Sequence, residues 1–97
     1  MKFQNLWNFE SGSTSTAMWL KLPNGLLIQW NTTSVWGTFT YPKAFKDNKY
    51  SLISSFGINS NNWGPVDSSV TARKISNMQG NIWSYERTNG YWLAIGY

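Results

Sequence analysis

The chain is predicted to be all-β, a small antiparallel β-sandwich of about 6–7 short strands, and three features of the sequence lead there. Short runs of alternating apolar and polar residues recur at spacings of about 8–12 residues. Turn residues punctuate the gaps between them. No stretch sustains a helical period.

Taken in chain order, residues 1–17 divide into a short aromatic-containing head, Phe3 to Glu10, and the run Ser-Gly-Ser-Thr-Ser-Thr at 11–16. That run has linker composition. The expectation is an N-terminal segment and linker from an upstream region over 1–17 and one β-sandwich domain over 18–97. Met18–Leu22, Pro23-Asn24-Gly25 and Leu26–Trp30 form the clearest hairpin, because Asn-Gly supplies left-handed turn geometry between apolar strands. On the second of these strands Leu26, Ile28 and Trp30 share a face and are expected in the core. Val35, Gly37, Phe39 and Tyr41 alternate against Trp36, Thr38 and Thr40 until Pro42 ends the strand. Tyr50, Leu52, Phe56 and Ile58 alternate against Ser51, Ser55 and Gly57. Asn59 to Pro65 is a polar loop with Trp63 inside it, Ser68–Ile75 a weaker strand, Gly80 a break, Asn81–Tyr85 a strand, Thr88-Asn89-Gly90 a turn and Tyr91–Ile95 the last strand.

Composition narrows the function classes. A length of 97 residues fits one domain. With Cys at 0 and His at 0, disulfides and Cys/His zinc sites are excluded, and no cofactor motif is present. Oligomerisation is then the remaining way to stabilise so small a core. Trp at 7 exceeds what such a core holds, so some tryptophans belong to an interface or a binding surface. The formal charge of +4 comes from scattered residues, with Lys43, Lys46 and Lys49 around Asp47 reading as a solvated loop and Arg73-Lys74 as a second small group. No apolar run reaches the roughly 20 residues of a membrane span, and the N-terminus lacks a secretion signal, so a soluble, unsecreted chain is expected.

Two passages carry a recognisable pattern: Trp19-Leu-Lys-Leu-Pro-Asn-Gly-Leu-Leu-Ile-Gln-Trp30 and Tyr91-Trp-Leu-Ala-Ile-Gly-Tyr97. With Phe39-Thr-Tyr-Pro-Lys-Ala-Phe45 and Tyr50-Ser51, in that order and spacing, the chain resembles the gp53-like C-terminal domain of phage tail fibre proteins. It departs from the family pattern mildly, with Asn31 after the hairpin in place of glycine and Tyr41 in place of phenylalanine before Pro42. The resemblance covers roughly residues 18–58 and 91–97. It implies a compact antiparallel sandwich at the distal end of a trimeric tail fibre in the virion, or a prophage-derived equivalent. The chain would follow an upstream fibre shaft and serve adsorption to the host. The plan is also similar to the small H-type lectins, which implies a glycan ligand. The implied partners are a homotrimer and a bacterial cell-surface polysaccharide, lipopolysaccharide or outer-membrane protein.

Among single residues, Trp63 with Asn59, Asn61 and Asn62 is the first candidate ligand contact. An aromatic face stacks on the C–H side of a sugar and amides satisfy its hydroxyls; the alternative is a tryptophan that anchors the loop on the sheet. Arg87 with Asn89 and Tyr91, and Arg73 with Lys74, are weaker candidates for charged glycans. Trp36, opposite the inward set of its strand, belongs to an interface or a ligand platform. Trp92 and Ala94, with Gly96, form the smaller face of the last strand and are expected against another protomer, the alternative being that the chain simply ends. Catalysis is not expected. Serine and cysteine nucleophile pairs need histidine or cysteine, and glycoside hydrolysis would have to use Asp47, Asp67 or Glu86. Nucleic acid is not an expected partner either, because the lysines fall in loops rather than between aromatics on a strand face.

Overall fold

The computed structural model describes residues 9–54, 71–83 and 89–97. Over these the chain forms eight strands: β1 (Glu10–Ser13), β2 (Ala17–Lys21), β3 (Leu27–Asn31), β4 (Gly37–Thr40), β5 (Ser51–Ser54), β6 (Thr71–Lys74), β7 (Gln79–Trp83) and β8 (Trp92–Gly96). All pairs are antiparallel. They make a five-stranded sheet in the order β1-β2-β3-β8-β5 and a three-stranded sheet in the order β4-β7-β6. The all-β class is as expected, with one strand more than the sequence suggested.

The expected hairpin is β2–β3, with Met18 opposite Trp30 and Leu20 opposite Ile28. Its turn is wider than a two-residue loop. The Leu22 carbonyl accepts from the Gly25 N–H at 2.9 Å, and the Leu22 N–H donates to the Leu26 carbonyl at 2.8 Å. Pro23 and Asn24 therefore occupy the turn, Gly25 takes the left-handed position at φ 93°, and the Asn24 side chain accepts from the Leu26 N–H.

The Ser/Thr/Gly run expected as a linker is an edge hairpin instead. Ser11, Gly12 and Ser13 pair with Leu20, Trp19 and Met18. The Thr14 side chain closes the turn, accepting from the Ala17 N–H at 3.1 Å while the Thr14 N–H donates to the Ala17 carbonyl at 2.8 Å. Small hydroxyl residues make linkers, but the same hydroxyls also satisfy the backbone of a tight turn.

The inward faces hold three further corrections. On β3 the buried residues are Leu27, Gln29 and Asn31, while Trp30, expected in the core, is only partly buried on the opposite face. On β8, Trp92 and Ala94 were expected at a subunit interface; they are core residues of their own chain, 4% and 0% exposed. The reason is the second sheet, which brings Phe39 flat against Trp92 with ring centroids 4.6 Å apart. Gly80, expected as a break, lies buried within β7, because a Cβ there would stand 2.7 Å from both the Phe39 ring and the Tyr41 hydroxyl.

Residues 41–50 cross from the small sheet to the large one without forming helix or strand. They bring three buried rings, Tyr41, Phe45 and Tyr50, into the core. Tyr41 meets Phe39, Phe45, Tyr50 and Trp92 edge-on, at 5.2–5.4 Å. Phe45 and Tyr50 stack at 4.2 Å. The Tyr41 hydroxyl donates to that of Tyr50, which donates onward to the Ser76 carbonyl at 2.7 Å.

The crossing's backbone is satisfied from outside itself. The Gln29 amide donates to the Lys43 carbonyl and accepts from the Lys43 N–H, both at 2.8 Å. The Asn77 backbone and side chain treat Phe45 the same way, and the Lys46 N–H donates to the Tyr97 carbonyl. Asn31 performs this service at the other end of its strand, donating to the Thr33 and Gly90 carbonyls and accepting from the Trp92 N–H at 2.7 Å.

Gln29→Leu keeps the volume but leaves both Lys43 backbone groups without their partner. It is expected to lower stability by about 2–3 kcal/mol, measured by urea unfolding, with faster amide exchange at Lys43; an unchanged midpoint would show that the clamp contributes nothing.

Burial, and then the hydrogen bond to Tyr50, push the Tyr41 phenol well above its ordinary pKa. Burial also raises Tyr50, against the lowering effect of its bond to Tyr41. Above about pH 10 the unfolded chain loses these protons while the folded chain keeps them. Stability should therefore be level below pH 9 and fall above about pH 10, by up to ~1.4 kcal/mol per pH unit for each phenol. Thermal melts across this range check it: Tyr41→Phe should make the decline shallower, and a midpoint that holds steady to pH 11.5 would contradict it.

Candidate functional site

The sandwich presents two outer faces of opposite character. On the five-stranded sheet, registered pairing sets two apolar rows side by side. One runs Met18, Trp30, Leu93, Ile53, and the other Leu20, Ile28, Ile95. Ile53 is 57% exposed, and Met18 and Leu93 40% each. None of these side chains is charged, and Ser11, Ser13 and Ser51 border the rows on the outer strands.

On the three-stranded sheet the outer face is polar and aromatic. β6 contributes Thr71 and Arg73, β7 contributes Gln79, Asn81 and Trp83, and β4 contributes Thr38 and Thr40. These alternate with the inward Ala72, Gly80, Ile82 and Phe39, so the strand period fixes which set meets solvent. Asn81 donates to the Thr38 hydroxyl at 3.1 Å, Gln79 to that of Thr40 at 3.4 Å, and the Thr71 hydroxyl to the Trp83 carbonyl at 3.3 Å. Thr71, Arg73, Asn81 and Trp83 line a shallow depression of about 300 Å³. Trp83 is 50% exposed. This face offers an aromatic surface, amides, hydroxyls and a guanidinium, which together suit a polyhydroxylated ligand.

A second, smaller cleft of about 110 Å³ opens between Ala17, Asn31, Val35, Phe39 and Trp92. Thr16, Thr33, Ser34 and Thr40 also line it, and the amide of Asn31 is already engaged by Gly90 and Trp92.

Of the residues singled out in the sequence, Asn59, Asn61, Asn62, Trp63 and Arg87 lie outside the described residues, as do Asp67 and Glu86. Asn89 is exposed beside Gly90, which bridges to Val35. Trp36 is partly buried just before β4. The Arg73-Lys74 pair is split by the strand period. Arg73 joins the outer face, while Lys74 donates to the Asn48 and Tyr50 carbonyls at 2.6 and 2.9 Å and so braces the crossing. Lys43 lies over the Trp19 ring at 4.5 Å, and Asp47 accepts from the Lys49 N–H in an exposed turn. Among the described residues no group of three acidic, histidine or cysteine side chains could hold a metal ion.

Trp83, Asn81 and Gln79 were not singled out by sequence reasoning. Their signal was available: Gln79, Asn81 and Trp83 fall two apart, and only the reading of Gly80 as a break kept them from one strand face.

Comparison with known proteins agrees with the architecture. Residues 21–97 match the family described as "Putative tail fiber protein gp53-like, C-terminal". No curated protein matches the chain, and no solved structure does. The matched stretch takes in seven of the eight strands wholly or in part and both sheets, leaving only β1 outside. The chain thus belongs to the gp53-like family of phage tail-fibre C-terminal domains, components of the phage virion.

Proposed function

We propose that this domain is the receptor-recognising tip of a tail fibre, standing at the distal end of an upstream shaft as a homotrimer. It binds a bacterial surface glycan or outer-membrane component without catalysing a reaction on it. The observation that carries this reading is the division of the two outer faces. An uncharged apolar sheet face is costly to leave in water and suits contact with further copies of the chain. The opposite face keeps an aromatic ring, amides and hydroxyls open to solvent. A fibre tip needs both properties, one for assembly and one for the host.

Two measurements test it. Light scattering on the purified chain is expected to give a mass of three protomers, and Leu93→Glu, which puts a charge in the middle of the apolar rows, is expected to give one protomer with an unchanged near-ultraviolet circular dichroism spectrum. A wild-type monomer would remove the trimer from the proposal. Separately, fluorescently labelled wild-type chain should decorate host cells and compete with phage adsorption. A trimer that does neither would make the domain a structural cap of the fibre, with recognition carried by another protein.

A further inference from the structure

The depression on the outer face of the three-stranded sheet has features that a general adsorption role does not require. We infer that it is a site for an acidic saccharide, one carrying a carboxylate or a phosphate, with Trp83 as the stacking surface and Arg73 as the anion contact; this rests on the receptor-binding reading above.

The placement comes from register. Thr71 stands opposite Trp83 and Arg73 opposite Asn81 on the adjacent strand. Arg73 and Trp83 are therefore diagonal neighbours on one face, with Cβ atoms about 7–8 Å apart or somewhat less. That spacing lets a sugar ring lie on the indole while a substituent reaches the guanidinium. Arg73 is exposed, and among the described residues its guanidinium has no ion-pair or hydrogen-bond partner. It thus presents its planar fork of N–H donors, which matches two oxygens of a carboxylate or phosphate. Among the described residues the depression is lined by Thr71, Arg73, Asn81 and Trp83, none of them acidic.

The neighbouring polar groups complete a saccharide site. Asn81 uses one N–H on Thr38 and, among the described residues, retains its carbonyl oxygen and second N–H for hydroxyl groups. Thr71 donates its proton to the Trp83 carbonyl and keeps its oxygen as an acceptor. A volume of about 300 Å³ is at the lower end of small-ligand sites and suits on the order of one or two sugar rings. A nucleic-acid strand would call for a row of cations along the face; among the described residues this face has Arg73 alone.

The test uses the full chain, its Trp83→Ala and Arg73→Gln variants, host cells, and an array of bacterial lipopolysaccharides and capsular polysaccharides. Each glycan is also spotted in carboxyl-reduced and dephosphorylated form. Both substitutions are on exposed side chains, and thermal melts confirm that the variants fold. Wild type is expected to bind cells and acidic glycans, more weakly as salt rises. Trp83→Ala and Arg73→Gln should each weaken binding about ten-fold or more. Loss on the carboxyl-reduced glycans identifies a uronate-type ligand, and loss on the dephosphorylated ones a phosphate. If wild type binds cells and both variants bind equally well, the site is wrong while the receptor-binding reading stands. If Trp83→Ala loses binding but Arg73→Gln and the neutralised glycans do not, the acidic class is wrong. If wild type decorates no cells, the receptor-binding reading itself falls.

Discussion

Residues 41–50 must carry three aromatic rings through the centre of the sandwich without the hydrogen-bond ladder of a strand, and the rest of the structure is arranged around that demand. Backbone N–H and C=O groups taken out of water must find partners. A ladder supplies them automatically; an irregular crossing does not. Here other side chains supply them. Gln29 meets both groups of Lys43, Asn77 meets both of Phe45 with its backbone and side-chain amide, and Lys74 caps the carbonyls of Asn48 and Tyr50. With the backbone held, Tyr41 can stand among four other rings and donate a hydrogen bond to the Tyr50 hydroxyl. Edge-on aromatic contacts of this kind add stabilisation beyond buried area, which matters where, among the described residues, few aliphatic side chains are fully buried.

This demand explains why β3 appears turned the wrong way. A strand whose apolar residues face outward and whose glutamine and asparagine face inward contradicts ordinary alternation. The inward amides are there because the crossing and the Gly90–Trp92 segment need donors and acceptors that Leu26, Ile28 and Trp30 cannot provide. Since the side-chain period is two, satisfying that need sends the neighbouring apolar residues to the outer face. β8 follows suit in register with β3. Trp92 and Ala94 turn inward to meet Phe39 and the crossing, and Leu93 and Ile95 turn outward beside Trp30 and Ile28. The apolar outer face and the polar core positions are two sides of one arrangement.

The fold class was legible in the sequence because alternation and turn chemistry are local. The β2–β3 hairpin, the β4 face with Phe39 and Tyr41 inward, and Tyr50 with Leu52 all could be read from neighbours in the chain. What could not be read depended on partners distant in sequence. Nothing near Gln29 reveals that Lys43 will sit across from it, so an apolar triad at Leu26, Ile28 and Trp30 looked like core. Nothing near Gly80 reveals that Phe39 and Tyr41 need the space of its missing side chain, so a strand residue looked like a break. That second misreading also concealed the candidate site, because Asn81 and Trp83 come together with Gln79 only if the strand runs through Gly80. The serine-rich run at 11–16 failed differently: its composition serves a flexible linker and a hydroxyl-closed turn equally well.

A recognition surface on a sheet face has an energetic consequence that a loop site would not share. The backbones of β4, β6 and β7 are fixed by pairing before any ligand arrives, so binding orders few additional degrees of freedom there. For the site proposed above, the cost of one shallow contact is then mainly weak single-site affinity. In the trimer proposed above, three such faces on one tip, and several tips on one particle, would raise effective affinity by about 10²–10⁴ without any new contact. The strand period also separates the two tasks within each residue pair. Asn81 and Trp83 face solvent while Gly80 and Ile82 pack against the aromatic cluster. An outer residue can therefore be exchanged to suit a different surface polymer while the inner ones, and through them the crossing, stay as they are.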